Sequence, residues 1–181
     1  MALIAKIETG HYRIPLPVAL SDSTHGVMTA FEVITVRVAD ADGQVGVGYT
    51  YTTGHNGGAV ADLARREIPE TVQGCDADLI EQLWQKVWWG LHYGGRGGPT
   101  VLALSAFDMA LWDLKAKRAG LPLWKLLGGH DAAVPCYAGG IDLDLSVDDL
   151  LRQTDGNLEK GFRAIKCKAV SYTHLRAHET S

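Results

Sequence analysis

Two lysines near the end of this 181-residue chain, Lys166 and Lys168 in the run AIKCKA, have a spacing that can do chemistry. Alternate residues of a strand share a face, so both ammonium groups point one way while Ile165, Cys167 and Ala169 point the other. A lysine beside a second cation and partly removed from water has a lowered pKa and can act as a base near neutral pH. Taken alone, the spacing fits a solvated strand face better than a site, because short motifs recur by chance. Two other patterns carry less. GGRGG at 94–98 lacks the G-K-[ST] ending of a phosphate loop. His174 and His178 are four apart, but Glu179 follows the second histidine, whereas the zinc-protease motif H-E-x-x-H needs a glutamate after the first.

The elements that must position these lysines follow from periodicity. Residues 3–14 alternate loosely and read as a strand ended by Pro15 and Pro17, with 18–30 as a polar loop. Residues 31–39 alternate well, with Phe31, Val33, Thr35 and Arg37 on one face and Glu32, Ile34, Val36 and Val38 on the other. Asp42-Gly43 is a hairpin turn signal, and 45–51 is the returning strand, giving an antiparallel sheet of three strands. Helical patterns follow over 59–68, ended by Pro69, and over 77–89, where Leu79, Ile80, Leu83, Trp84, Val87 and Trp88 share a face. Trp84, Trp88, Trp89 and Trp112 are assigned to helix packing. Pro99 opens the longest helix, whose apolar face is Leu104, Phe107, Ala110, Leu111 and Leu114, and Gly120 and Pro122 stop it. After residue 130 a short buried strand at 134–140, a helix capped by Ser146 and a strand at AIKCKA make a βαβ unit, hence a parallel sheet.

Composition bounds the answer. The net charge of −4, from 17 basic and 21 acidic residues, forms no basic stripe, so no nucleic acid partner is expected. No apolar run approaches the roughly 20 residues of a membrane span, and no signal peptide is visible. Three scattered cysteines without a C-x-x-C pair suit a reduced, cytoplasmic setting.

The stretch ALSAFDMALWDLKAKRAGLPLWKLLGG, 103–129, resembles the signature of the mandelate racemase and muconate lactonizing enzyme family of the enolase superfamily. Phe107 stands where that family usually carries an aliphatic residue. The three strands and helices before it resemble the family's capping domain, and KCK resembles its K-x-K motif on the second strand of a (β/α)8 barrel. The resemblance implies an α+β capping domain over 1–130, a three-stranded antiparallel sheet followed by a helical bundle. It also implies the first βαβ of a truncated (β/α)8 barrel over 131–170. The activity implied is removal of the proton α to a carboxylate, with Mg²⁺ stabilising the enediolate. Lys168 matches the base, and Lys166 matches its helper, which contacts the substrate carboxylate. Two loops of the capping domain are implied to close over the barrel mouth. They match SDSTHGVM and TYTTGHNGG, where Ser21, Asp22, His25, Tyr51 and His55 are suited to a substrate's hydroxyls. Polar loops favour a sugar acid, so an acid-sugar dehydratase is the leading reading. A racemase, epimerase or cycloisomerase follows, and a non-catalytic interaction module is the alternative from another class. The family also implies a homo-oligomer.

The resemblance places the three metal carboxylates on the third to fifth barrel strands, past Lys168, so the Mg²⁺ ligands are expected outside this chain and the 181 residues alone are expected to be inactive. SYTHLRAHETS, 171–181, resembles a translated sequencing adaptor and is expected not to be native.

Overall fold

The computed structural model describes residues 2–22, 24–140 and 142–167. Three strands, β1 (Ile4–Asp22), β2 (Gly26–Asp40) and β3 (Val45–Thr52), form one sheet in the order β1-β2-β3. β2 and β3 run antiparallel, with Ile34 opposite Thr50, Val36 opposite Gly48 and Val38 opposite Gly46. The alternation expected of β2 holds: Ile34, Val36 and Val38 are fully buried. Gly43 takes φ +84° in the Asp42-Gly43 turn between the strands, a conformation glycine adopts without cost.

The sheet reaches further than the sequence suggests. β1 continues through Pro15 and Pro17 to Asp22, and β2 begins at Gly26, so most of the expected 18–30 loop is strand. β1 is an edge strand. Two prolines two residues apart lack their N–H groups on the same side, and an edge strand has one side that needs no donors.

Helices α1 (Gly57–Asp62), α2 (Ile68–Val72), α3 (Ile80–Gly90), α4 (Pro99–Arg118) and α5 (Leu123–Leu126) follow. Pro69 does not end the first helical stretch. A π turn at Leu63–Glu67 lies between α1 and α2, and Pro69 follows it in the first turn of α2. The wider turn falls where the proline ring would otherwise meet the carbonyl four residues back. α3 starts later than expected, and Leu79, one residue before it, is half exposed. Trp84 and Trp88 stack at 5.1 Å against the core, and Trp112 packs there too. Trp89 does not: it is mostly exposed, and the Arg96 guanidinium lies 5.0 Å from its ring.

α4 organises the core. Leu104, Phe107, Ala110, Leu111 and Leu114 are all buried. Its end is a Schellman motif, in which Gly120 (φ +64°) donates to Lys117 O at 3.0 Å and Leu121 donates to Ala116 O at 3.0 Å. Arg118, the last residue of α4, pairs with Asp40, whose side chain is fully buried at the end of β2. Asp40 also accepts from the amides of Gln44 at 2.8 Å and Asp42 at 3.0 Å. Burial pushes the Asp40 carboxyl up, but the bonds from Arg118, Gln44 and Asp42 prevail and hold it below the ordinary carboxylate value.

That depression makes a pH prediction. The contribution of Asp40 is present above the unfolded-state pKa of about 3.9 and is lost as pH falls through the lower folded-state value. Asp40→Asn is expected to cost about 2 kcal/mol at pH 7 and less at pH 3, as urea unfolding would measure. An equal cost at both pH values would refute the assignment.

The chain resolves into two compact units, one of residues 1–14 and 31–132 and one of residues 15–30 and 133–181. In the second, β4 (Ala138–Gly139), α6 (Val147–Glu159) and β5 (Ile165–Lys166) form the expected parallel βαβ. Ser146 caps α6, its Oγ accepting from the Asp149 amide at 3.2 Å. The strand expected over 134–140 is not a buried one. Only Ala138–Gly139 pairs, and Val134 and Tyr137 are exposed. Among the described residues, no helix is long and apolar enough to cross a membrane.

Candidate functional site

In the second unit, β4 and β5 bring a lysine to the end of a parallel pair. Ala138 donates to Ala164 O at 3.0 Å and Gly140 donates to Lys166 O at 2.8 Å, which sets Gly139 opposite Lys166. Lys166 is exposed and Ile165 is half-buried, but Cys167, expected on the face of Ile165, is exposed as well. Cys167 is a free, exposed cysteine. Lys168 lies outside the described residues, as does the segment 171–181 with His174 and His178.

The β1–β2 tip belongs to the same unit. Ser21 makes a parallel bridge to Asp142, three residues beyond β4, so it sits at the carboxyl end of that strand. In barrels of parallel strands that end carries the chemistry. Asp22 shapes the tip. Its Oδ1 accepts from the amides of Thr24 at 2.9 Å and His25 at 2.6 Å, and its Oδ2 lies 2.9 Å from His25 Nδ1. Asp22 and His25 are therefore a mutual pair, with Asp22 largely buried and His25 about half exposed.

Asp142 is a residue that sequence reasoning missed. It is 5% exposed, and its Oδ2 accepts from Gln153 Nε2 of α6 at 3.1 Å. The carboxylate lies over Gly140, where a Cβ would meet Oδ2 at 2.2 Å, so any larger residue at 140 would displace it. One aspartate in the alternating run IDLDLS carries no signal of this, because its partners come from α6 and the β1 tip.

Tyr51 and His55 belong to the first unit. Tyr51 is exposed on β3, its ring 5.6 Å from Phe31. His55 lies in the short connection to α1, and Asn56 after it takes φ +65°. Tyr51, Thr53, His55 and Asn56 line a cavity of about 420 Å³ with Pro99 and Leu102 of α4. Hydroxyl, imidazole and amide groups share the wall with Pro99 and Leu102, and most of the lining surface is apolar. Among the described residues, no group of three or more His, Cys, Asp or Glu side chains is gathered to hold a metal ion.

Comparison with known proteins gives consistent relatives. Residues 5–128 match a family model described as mandelate racemase / muconate lactonizing enzyme, N-terminal domain. The chain is 57% identical over 166 residues to 3,6-anhydro-alpha-L-galactonate cycloisomerase of Streptomyces coelicolor, covering 92% of this chain and 46% of that protein. A crystal structure of a racemase from the same organism with bound magnesium is similar at TM-score 0.88 and 57% identity, over 90% of this chain and 46% of that one. L-talarate/galactarate dehydratase from Salmonella typhimurium, liganded with Mg and L-lyxarohydroxamate, is similar at TM-score 0.86 and 32% identity, over 93% of this chain and 44% of that one. The chain spans about half the length of the curated relatives it matches.

Proposed function

This chain belongs to the mandelate racemase / muconate lactonizing enzyme family, and on that premise we propose that the whole protein removes the proton α to the carboxylate of a sugar-derived acid. The enediolate so formed expels an oxygen from the β carbon. Lys168 takes the α proton. Lys166, at the end of β5, pairs with the carboxylate and supports its partner through its charge. Ser21 and the Asp22–His25 pair, together with Tyr51 and His55, contact hydroxyls.

The nature of the leaving oxygen separates two readings. In a 3,6-anhydro sugar acid, the ether oxygen sits on the β carbon. Breaking the C2–H bond sends the proton to the lysine. The electron pair then forms the C2–C3 double bond, the C3–O bond breaks, and the freed oxygen takes a proton. The enol reverts to a 2-keto acid, and no atom is lost. In an open-chain acid sugar the same steps expel water. The polar loops favour the second reading, a dehydratase, and the similarity to the talarate/galactarate enzyme supports it. The higher identity to the anhydrogalactonate cycloisomerase is the observation that carries the first, which we place ahead.

A magnesium requirement is part of the proposal for the whole protein, on the magnesium in related structures. The described residues do not supply its site, so no step here is drawn through the metal, and turnover is proposed for the whole protein rather than for these 181 residues alone. The test is to offer the full-length protein, with Mg²⁺, 3,6-anhydrogalactonate and galactarate separately. Conversion of the first to a 2-keto acid of unchanged mass is expected. Loss of water from the second alone would establish the dehydratase reading instead, and turnover of neither would defeat both.

A further inference from the structure

The Glu32 carboxylate has no part in the proposed reaction, yet three other elements converge on it. Glu32 lies on β2, on the face that carries Ile34, Val36 and Val38, and its side chain is 15% exposed. Oε1 is 2.9 Å from His11 Nε2 on β1. Oε2 accepts from Thr52 Oγ1 at the end of β3 and from the backbone amide of Gly57 at the start of α1, each at 3.1 Å. Burial pushes the Glu32 carboxyl up, but the bonds from Gly57, His11 and Thr52 prevail and hold it below the ordinary value, so it stays ionised.

α1 needs this acceptor. The first amides of a helix have no partner within it. Asn56, the residue before α1, is in the left-handed region and its side chain caps nothing. Glu32 supplies from the neighbouring strand what the local sequence omits, and places negative charge at the positive end of the helix. The fit is close: a Cβ on Gly57 would lie 2.7 Å from Glu32 Cδ. Residues 53–56 are therefore held at both ends, at Thr52 and at Gly57, by one side chain.

We infer that Glu32 is a positioning residue for the 53–56 loop, clasping its two ends through Thr52 and Gly57 and thereby fixing His55 and Tyr51 against the substrate. The clasp itself stands on geometry alone; only its effect on substrate rests on the function proposed above.

Hydrogen exchange reads the clasp with no substrate present. In the intact protein, Glu32→Ala is expected to speed exchange across 53–58 by about tenfold or more, with the amides of 34–38 unchanged. Glu32→Gln keeps an oxygen for the Gly57 amide and should recover most of the protection. In steady-state kinetics, Glu32→Ala should raise KM for the sugar acid by about tenfold while kcat changes far less. A merely structural role would lower the amount of active enzyme and leave KM alone. Unchanged exchange in 53–58 would overturn the clasp whatever the enzyme does. Faster exchange with an unchanged KM would overturn the positioning role. If the wild-type protein acts on no sugar acid, the functional reading fails by itself and exchange still decides the clasp. Should Glu32→Ala not fold, Thr52→Val removes one donor, leaves the carboxylate in place, and gives the same exchange test.

Discussion

Lys168→Ala in the full-length protein should lower kcat by about 10²–10⁴-fold, with KM changed far less. The size of the effect follows from what the amine does. A hydrogen α to a carboxylate is a very weak acid, and water at neutral pH does not remove it at a useful rate. A positioned amine, neutral because a second cation stands beside it, does. Lys166→Ala should act differently. On the proposed roles it removes the cation beside the base and a contact to the carboxylate, so it should raise KM and move the acid limb of the pH–rate profile upward. Lys166→Arg keeps a cation there and should restore the pH profile more than the KM. Equal losses in the two alanine variants, with no change in pH profile, would contradict the division of labour. A Lys168→Ala enzyme that retained its kcat would remove the lysine from the mechanism.

Gly48→Ala should cost about 3 kcal/mol or more. β3 carries glycine at 46 and 48, opposite Val38 and Val36 of β2, and α4 lies directly across them. A Cβ at Gly48 would stand 2.0 Å from Ala106 O and 2.6 Å from Ala110 N, and one at Gly46 would stand 2.0 Å from Ala110 O. These are backbone atoms of a 20-residue helix. They cannot swing aside as a side chain end can, so the helix must lift from the sheet. That would open space around Phe107, Leu111 and Leu114, all fully buried or nearly so. Chemical denaturation of Gly48→Ala beside Gly43→Ala separates the two uses of glycine, since Gly43 has open space around it and only its φ of +84° to protect. If both variants lose the same small amount, close approach is not what Gly48 supplies.

The parts of the fold legible in the sequence are those whose causes are local. The period of two in β2, the Asp42-Gly43 turn, Pro99 at the start of α4, Gly120 at its end and the Ser146 cap each act within a few residues. Misreadings arise where a distant partner overrides a local signal. Pro15 and Pro17 read as a stop because the sequence does not show that β1 is an edge. Pro69 reads as a stop because nothing nearby announces a π turn. The run 134–140 reads as a buried strand from its apolar character, yet only Ala138 is buried.

The candidate site divides the same way. The K-x-K spacing is read from strand alternation alone; of its residues the structure describes Lys166 and Cys167, both exposed, and Lys168 lies outside the described residues. The loops that carry Ser21, Asp22, His25, Tyr51 and His55 are legible only through resemblance to a family. Asp142 and Glu32 are not legible at all. Each is one carboxylate among 21 acidic residues, and its meaning lies in Gln153 and Ser21, or in His11, Thr52 and Gly57, which the chain brings to it only on folding.

The measurement that bears most directly on the whole account is hydrogen exchange at the substrate's α carbon. The full-length protein, supplied with Mg²⁺ and a 3,6-anhydro sugar acid in D₂O, would be followed by proton NMR. A 2-keto acid product formed with the C2–H bond broken is expected, with a primary isotope effect for substrate deuterated at C2 and loss of both in Lys168→Ala. Consumption of substrate with the C2 hydrogen retained, or full activity in Lys168→Ala, would contradict it.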